Sequence, residues 1–419
     1  MTSLPPGRTV VPHRSHIAPL DGLRGIAVLG VLLFHADRFP GGFLGVDLFF
    51  VLSGFLITGL LLREAETRGT VDLAAFWGRR ARRLLPALLA TVAGTLLLAA
   101  FLGTAAQFRL ARADAPWVLA NLANWHFIAG RDGYWNTDGT RLFAHLWSIA
   151  VEEQFYLFWP PALLLLWRLG RTARIRARAL AATAAGGILL SAVAMAVLLD
   201  PVDSTRVHEG TDTRAFALLL GALAATPTVR RRTARLGTRT TTVLSGALVL
   251  ALGAGWALAS GTGAGSAVLF RGGLLLHSAA CAALVALLAH APGTAPGRLL
   301  AAPPLRFLGG ISYGLYLWHW PVFLLLDTAL PQPAGPWEGW PRAALFILVS
   351  VAVAVVSKAC VEDPVRYRAR WAHGRTGALA LGAAVLAVLA LWWLLPAAVP
   401  VPGGPAVDVT RLAVGAAAP

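Results

Sequence analysis

The sequence predicts an all-α protein, a polytopic transmembrane helical bundle, on three observations. First, 57% of the 419 residues are hydrophobic and 13% are charged, where a soluble domain devotes about a quarter of its residues to charge. Second, apolar runs long enough to cross a bilayer recur along the chain. Third, the basic residues gather in short clusters between those runs, as loops obeying the positive-inside rule do. The formal net charge of +16 therefore marks membrane orientation. The expected partner is a lipid bilayer and not a nucleic acid.

Taken in order, residues 1–16 are polar and read as a cytoplasmic tail. Spans are expected near 18–37, 43–62, 84–103, 143–167, 178–199, 214–227, 241–260, 272–290, 307–330, 341–361 and 376–395. The first ends in HADRFPGG with no small-residue cleavage site, so it reads as a retained span and not a signal peptide. The sixth is short. Arg63 to Arg83 follow the second span, Arg168 to Arg178 the fourth and Arg230 to Arg239 the sixth. Arg298 and Arg306 follow the eighth, and Arg366, Arg368, Arg370 and Arg375 the tenth. Dense clusters after even-numbered spans place the N-terminus in the cytoplasm and the C-terminus outside. The outer loop 104–142 holds Trp117, Trp125, Phe127, Tyr134 and Trp135, and residues 117–129 are expected to lie in the interface as a short amphipathic helix. Lys358 is the single lysine, so Arg-for-Lys choices carry little information. The two cysteines, Cys281 and Cys360, are far apart in apolar stretches and support neither a disulfide framework nor a metal site.

Ionisable groups inside these runs are the candidates for chemistry, because such groups are costly in a membrane. Arg24 and His35 are eleven residues apart. On a helix that separation is about 1100°, three turns plus roughly 20°, and about 16 Å of rise. Both side chains therefore share one stripe of the first span. The bland alternative is a carbonyl-bonded histidine and a snorkelling arginine. A neutral imidazole can accept a proton from a hydroxyl or attack an activated acyl group itself. Asp21, one turn before Arg24, can simply pair with that arginine. In HLWSIAVEEQFY, His145, Ser148 and Glu152 recur at helical spacing, and Glu152 sits at a depth comparable to His35. Glu153 points about 100° away from Glu152 and suits the positive end of a helix. In ISYGLYLWHWP, His319 lies in the outer half of its span with Tyr316 one turn below, and Trp318 and Trp320 read as packing. In FWGRRARRLLP, Arg80 and Arg83 obey positive-inside but also suit phosphate. In TDTR, Asp212 and Arg214 lie at the outer side of the short span, as a vestibule for a polar acceptor or as a local ion pair.

These blocks, in this order, resemble the integral-membrane acyltransferase-3 family of bacterial O-acyltransferases over roughly residues 16–370. Arg24 and His35 match its Arg-ten-residues-His motif, and Ser148 and Glu152 its Ser-three-residues-Glu motif. GFLGVDLFFVLSGFLIT, FWGRRARRLLP, DTRAFALLLGALAA, ISYGLYLWHWP and VEDPVRYR complete the set. The resemblance implies a ten-helix acyltransferase core in the bacterial cytoplasmic membrane, here residues 17–370, plus one extra C-terminal span at 371–395. It implies an acyl group, most often acetyl, taken from cytosolic acyl-CoA and delivered to a hydroxyl of a glycan or glycosylated acceptor. Acyl-CoA is then a donor substrate, and no cofactor is bound permanently. His35 matches the catalytic histidine. Glu152 would orient or charge-balance it, with Ser148 supporting the acid. Arg24, Arg80 and Arg83 would bind the CoA, and His319, His145, Asp21 and Tyr316 would support the site. No metal is expected. Residues 396–419 form a short extracytoplasmic tail, so the expectation is direct acylation by the membrane domain or completion by a separate extracytoplasmic transferase. The competing reading is a proton-coupled transporter or flippase of a glycolipid, which the absence of paired, similarly interrupted half-repeats disfavours.

Overall fold

The computed structural model describes residues 17–131, 140–200, 202–259, 266, 268–331, 339–368 and 374–396. The tail 1–16, the C-terminal residues from 397, and Tyr134, Trp135 and Arg370 lie outside the described residues. The described residues are helical with no strand. In order they form α1 (Ala18–His35), α2 (Gly45–Arg68), α3 (Leu73–Leu102), α4 (Ala105–Leu119), α5 (Ala123–Gly130) and α6 (Trp147–Leu169). Next come α7 (Ala173–Val197), α8 (Thr205–Glu209), α9 (Thr211–Ala224), α10 (Pro227–Thr233) and α11 (Thr238–Leu258). The chain closes with α12 (Leu274–His290), α13 (Ala295–Leu300), α14 (Pro303–Ala329), α15 (Gly339–Ser357) and α16 (Gly374–Leu394).

Each of the eleven expected spans coincides with one long helix: α1, α2, α3, α6, α7, α9, α11, α12, α14, α15 and α16. Eight helical segments among the described residues are long and apolar enough to cross a membrane. The other three, α6, α9 and α14, carry Glu152, Arg214 and His319. Arg214 and His319 are buried and Glu152 is partly buried, so these polar groups meet protein and not hydrocarbon. The protein is a multi-pass helical membrane bundle.

Small residues set how these helices meet. A Cβ on Gly25 would collide with the carbonyl of Leu305, and one on Gly309 with that of Asp21. The backbones of α1 and α14 are therefore in contact and run in parallel. The same holds for α2 and α9, where Gly54 meets the Leu218 carbonyl and Gly221 meets that of Val51. In a membrane, where apolar burial gives no net drive, close backbone approach of this kind supplies the packing energy. At the periphery α16 lies on α3 and α4, its Trp392 indole donating to the Arg112 carbonyl at 2.8 Å.

Two elements differ from the expectation. The third span begins eleven residues earlier than hydropathy suggests, because Asp72 accepts from the Ala75 amide at 2.9 Å and caps a helix that contains the whole basic block. Arg80 and Arg83 are thus inside α3 and not at its start. The interfacial helix expected over 117–129 is instead broken into α4 and α5, turning at Ala120–Leu122 with Asn121 at φ +55°. Gln154 of α6 holds that turn by donating to the Asn121 carbonyl at 2.8 Å.

Candidate active site

The parallel register of α1 and α14 brings His35 to His319. His35 Nδ1 lies 2.9 Å from His319 Nε2, and His319 Nδ1 lies 2.7 Å from the Tyr316 carbonyl. A carbonyl only accepts, so His319 carries its proton on Nδ1. In the neutral ring Nε2 is then the lone-pair nitrogen, and it accepts from His35 Nδ1–H. The outcome is a His35 whose own lone pair sits on Nε2, the arrangement a general base requires. Trp320, expected as packing, covers the His35 ring at a centroid distance of 4.4 Å and anchors its indole on the Arg141 carbonyl at 3.0 Å. It is therefore a site residue that the aromatic density of its segment concealed.

His145 is fully buried, in the turn that precedes α6. Its ring centroid lies 5.1 Å from that of His319, and its Nε2 lies 3.2 Å from the Leu317 carbonyl. Its own carbonyl lies 3.2 Å from Ser148 Oγ and 3.1 Å from the Tyr316 hydroxyl, and those two hydroxyls are 2.6 Å apart, so one donates to the other and the second donates to the carbonyl. Ser148 and Tyr316 thus bind one another across α6 and α14 one turn below the histidines.

Beneath them opens a cavity enclosing about 600 Å³ of empty space counted to its mouth, lined by Arg24, Arg80, Arg83, Ser53, Glu152, Glu153 and the Ser148–Tyr316 pair. Ser53 and Tyr156 both donate to Glu152 Oε1. Glu152 is placed among the arginines of this cavity, whereas His35 lines a different one. The expected convergence of Glu152 on His35 is therefore replaced by His319. The Arg80 guanidinium stands 3.9 Å over the Tyr156 ring. Arg24 Nε and Arg80 Nε are buried with no hydrogen-bond partner among the described residues. Arg83 is repelled by Arg24, Arg80 and Arg366 together. Three guanidinium groups and two carboxylates, Glu152 and Glu153, thus share one hollow, with an excess of positive charge and with donors unfilled. Asp21 lies one turn before Arg24 in α1, with its carbonyl against Gly309. Arg80, Leu84, Ile149, Glu153 and Tyr313 also line an adjoining lateral groove between α3, α6 and the α4–α5 turn, about 1310 Å³ counted out to solvent. Leu157 and Phe158, 53% and 69% exposed, flank that groove.

His35 lines the second cavity, about 310 Å³, with Val46 and Tyr316, which also line the first, and with Trp147, His208 and Arg214. The expected local pair of Asp212 and Arg214 is not made. Asp212 accepts from Arg206 at 2.7 Å and 2.9 Å, and Arg214 Nη2 reaches both oxygens of Asp47 on α2 at 2.9 Å. A lone acid in the apolar run GVDLFF was the available signal, since a buried carboxylate needs a cation.

A family model described as an acyltransferase domain matches residues 17–358. Among curated proteins, the peptidoglycan O-acetyltransferase OatA of Listeria monocytogenes is 35% identical over 86% of this chain and 57% of its own length. A candidate peptidoglycan O-acetyltransferase, YrhL of Bacillus subtilis, is 38% identical over 84% of this chain and 55% of its own. The O-acetyltransferase OatA of Staphylococcus aureus is 32% identical over 84% of this chain and 57% of its own. The chain spans a little over half the length of these relatives. No solved structure gives a significant match.

Proposed function

The chain belongs to the acyltransferase family whose domain spans most of it, and from that premise we propose that it is a membrane O-acyltransferase. It moves an acyl group, acetyl first of all, from acyl-CoA to a hydroxyl of a glycan. The observation that carries this reading is the His319–His35 contact, which fixes the His35 ring in the wall of a cavity that Arg214 also lines. The names of the relatives make peptidoglycan the first acceptor to test.

In the proposed arrangement the phosphates of CoA sit at Arg24, Arg80 and Arg83, on the side that the basic clusters assign to the cytoplasm. Guanidinium groups suit phosphate through charge-assisted, paired hydrogen bonds. The thioester then reaches toward His35, about 16 Å along α1 from Arg24, past the Ser148–Tyr316 pair. His35 Nε2 takes the proton of the attacking hydroxyl, and His319 accepts the hydrogen bond of the imidazolium that forms. Attack by His35 itself, giving an acyl-imidazole, uses the same lone pair.

The test uses the full chain in liposomes with acetyl-labelled CoA and peptidoglycan glycan strands. Wild type should place ester-linked label on the glycan. His35→Ala should stay folded and transfer none. Wild-type turnover in a folded His35→Ala protein would end the assignment. Glycan movement with intact thioester would establish a carrier instead.

A further inference from the structure

We propose that Arg214 is a catalytic residue of the transfer, one of its unfilled N–H groups, on Nε or on Nη1, binding the oxygen anion that forms on the acyl carbonyl. The proposal rests on the acyltransferase reading above and adds to it a place for the developing charge.

Arg214 is 1% exposed, so its charge is inside the protein. Only one of its nitrogens is engaged by Asp47: Nη2 meets both carboxylate oxygens at 2.9 Å. Nε and Nη1 are buried and have no hydrogen-bond partner among the described residues. The guanidinium carbon lies 5.9 Å from the Phe50 ring centroid and 5.7 Å from that of Trp147, so aromatic walls confine it. The side chain lines the same cavity as His35.

A structural ion pair would turn the guanidinium fork to the carboxylate and fill both positions. Here Asp47 neutralises and orients the group from one corner and leaves the N–H groups of two nitrogens, Nε and Nη1, over. Buried donors left without an acceptor are destabilising, and in a functional cavity they mark where an acceptor arrives. Fixed donors in a dry cavity act on charge that appears only during reaction, and need no reorganisation at that moment.

The step balances as follows. The acceptor oxygen bonds to the carbonyl carbon of the thioester while its proton passes to His35 Nε2. The π pair of the carbonyl moves onto oxygen, where one unfilled Arg214 N–H, on Nε or on Nη1, holds it. Collapse restores the carbonyl and breaks the carbon–sulfur bond, and the departing thiolate takes the proton from His35.

The experiment measures steady-state kinetics of the full chain in liposomes with acetyl-CoA and glycan acceptor. Arg214→Gln and Arg214→Lys should lower kcat by about 10²–10³-fold, the loss typical for an oxyanion donor, with KM for acetyl-CoA unchanged. Because Arg214→Gln alone strands a buried carboxylate, the double variant Asp47→Asn/Arg214→Gln removes both charges. It should melt as wild type does and be equally slow. Guanidinium ion added to Arg214→Ala should restore part of kcat without raising the melting temperature, a combination that a merely structural arginine would not give. A folded single or double variant with wild-type kcat overturns the proposal. So does a raised KM at unchanged kcat, or a folded Arg214→Ala that guanidinium leaves unimproved. A wild-type protein that leaves acetyl-CoA intact overturns the acyltransferase reading itself, before any variant is compared.

Discussion

Replacing His319 by alanine isolates the contact on which the assignment of His35 depends. In the resting site His35 Nδ1–H donates to a neutral acceptor across 2.9 Å, a bond of about 1 kcal/mol net. Once His35 holds a second proton the same bond is charge-assisted and contributes about 1.5–3 kcal/mol. Only the difference, about 0.5–2 kcal/mol, lowers the barrier, so at 1.36 kcal/mol per decade its loss slows kcat by roughly 2–30-fold. Freedom of the His35 ring to turn from its productive orientation adds to that loss. Alanine also leaves the buried N–H without its acceptor, which costs about 1–3 kcal/mol of stability. His319→Gln can present an amide oxygen near the position of Nε2, and should retain most of the rate. The assay is initial-rate thiol release from acetyl-CoA with glycan present, alongside thermal unfolding of each variant in detergent. A folded His319→Ala at the wild-type rate, or a glutamine variant as slow as alanine, would refute the relay.

The arginine cavity makes a kinetic prediction of the opposite kind. Arg80→Ala and Arg83→Ala should each raise KM for acetyl-CoA by roughly 10–150-fold, the equivalent of a 1.5–3 kcal/mol charged hydrogen bond, while kcat changes little; unchanged KM in both would remove CoA from this cavity. Packing is tested by Gly25→Leu, which forces α1 from α14 at the Leu305 carbonyl. Overpacking of this kind costs about 1–3 kcal/mol, and shifting the register separates His35 from His319, so both melting temperature and turnover should fall. Gly253→Leu, whose Cβ would meet nothing within 4 Å, is the control, and equal behaviour of the two would refute the packing argument.

Much of the fold was legible because the bilayer imposes it. Eleven apolar runs became eleven long helices, and the shortest became α9. Hydropathy missed the first turns of α3 because arginines there face a cavity and not lipid. Residues 117–129, the end of α4 and most of α5, were read as one interfacial helix, since nothing in the local sequence announces that Gln154 will seize the Asn121 carbonyl. In the site, His35, His319, His145, Ser148 and Tyr316 gather, and spacing within each segment told only which of them share a helix face. Glu152 did not join His35, and Trp320 and Asp47 were passed over.

The sequence by itself determined the class of molecule, the helices, and which side chains share a stripe on each one. Those properties follow from composition and from a period of 3.6 residues, both local. Only the tertiary structure decided which stripes meet. Glycine-to-backbone contacts set the register of α1 on α14 and of α2 on α9. That register pairs His35 with His319 and Asp47 with Arg214, and leaves Glu152 among the arginines. A one-turn slip would keep every helix and every periodicity and yet dissolve the site, so the chemistry resides in a register that no single segment encodes.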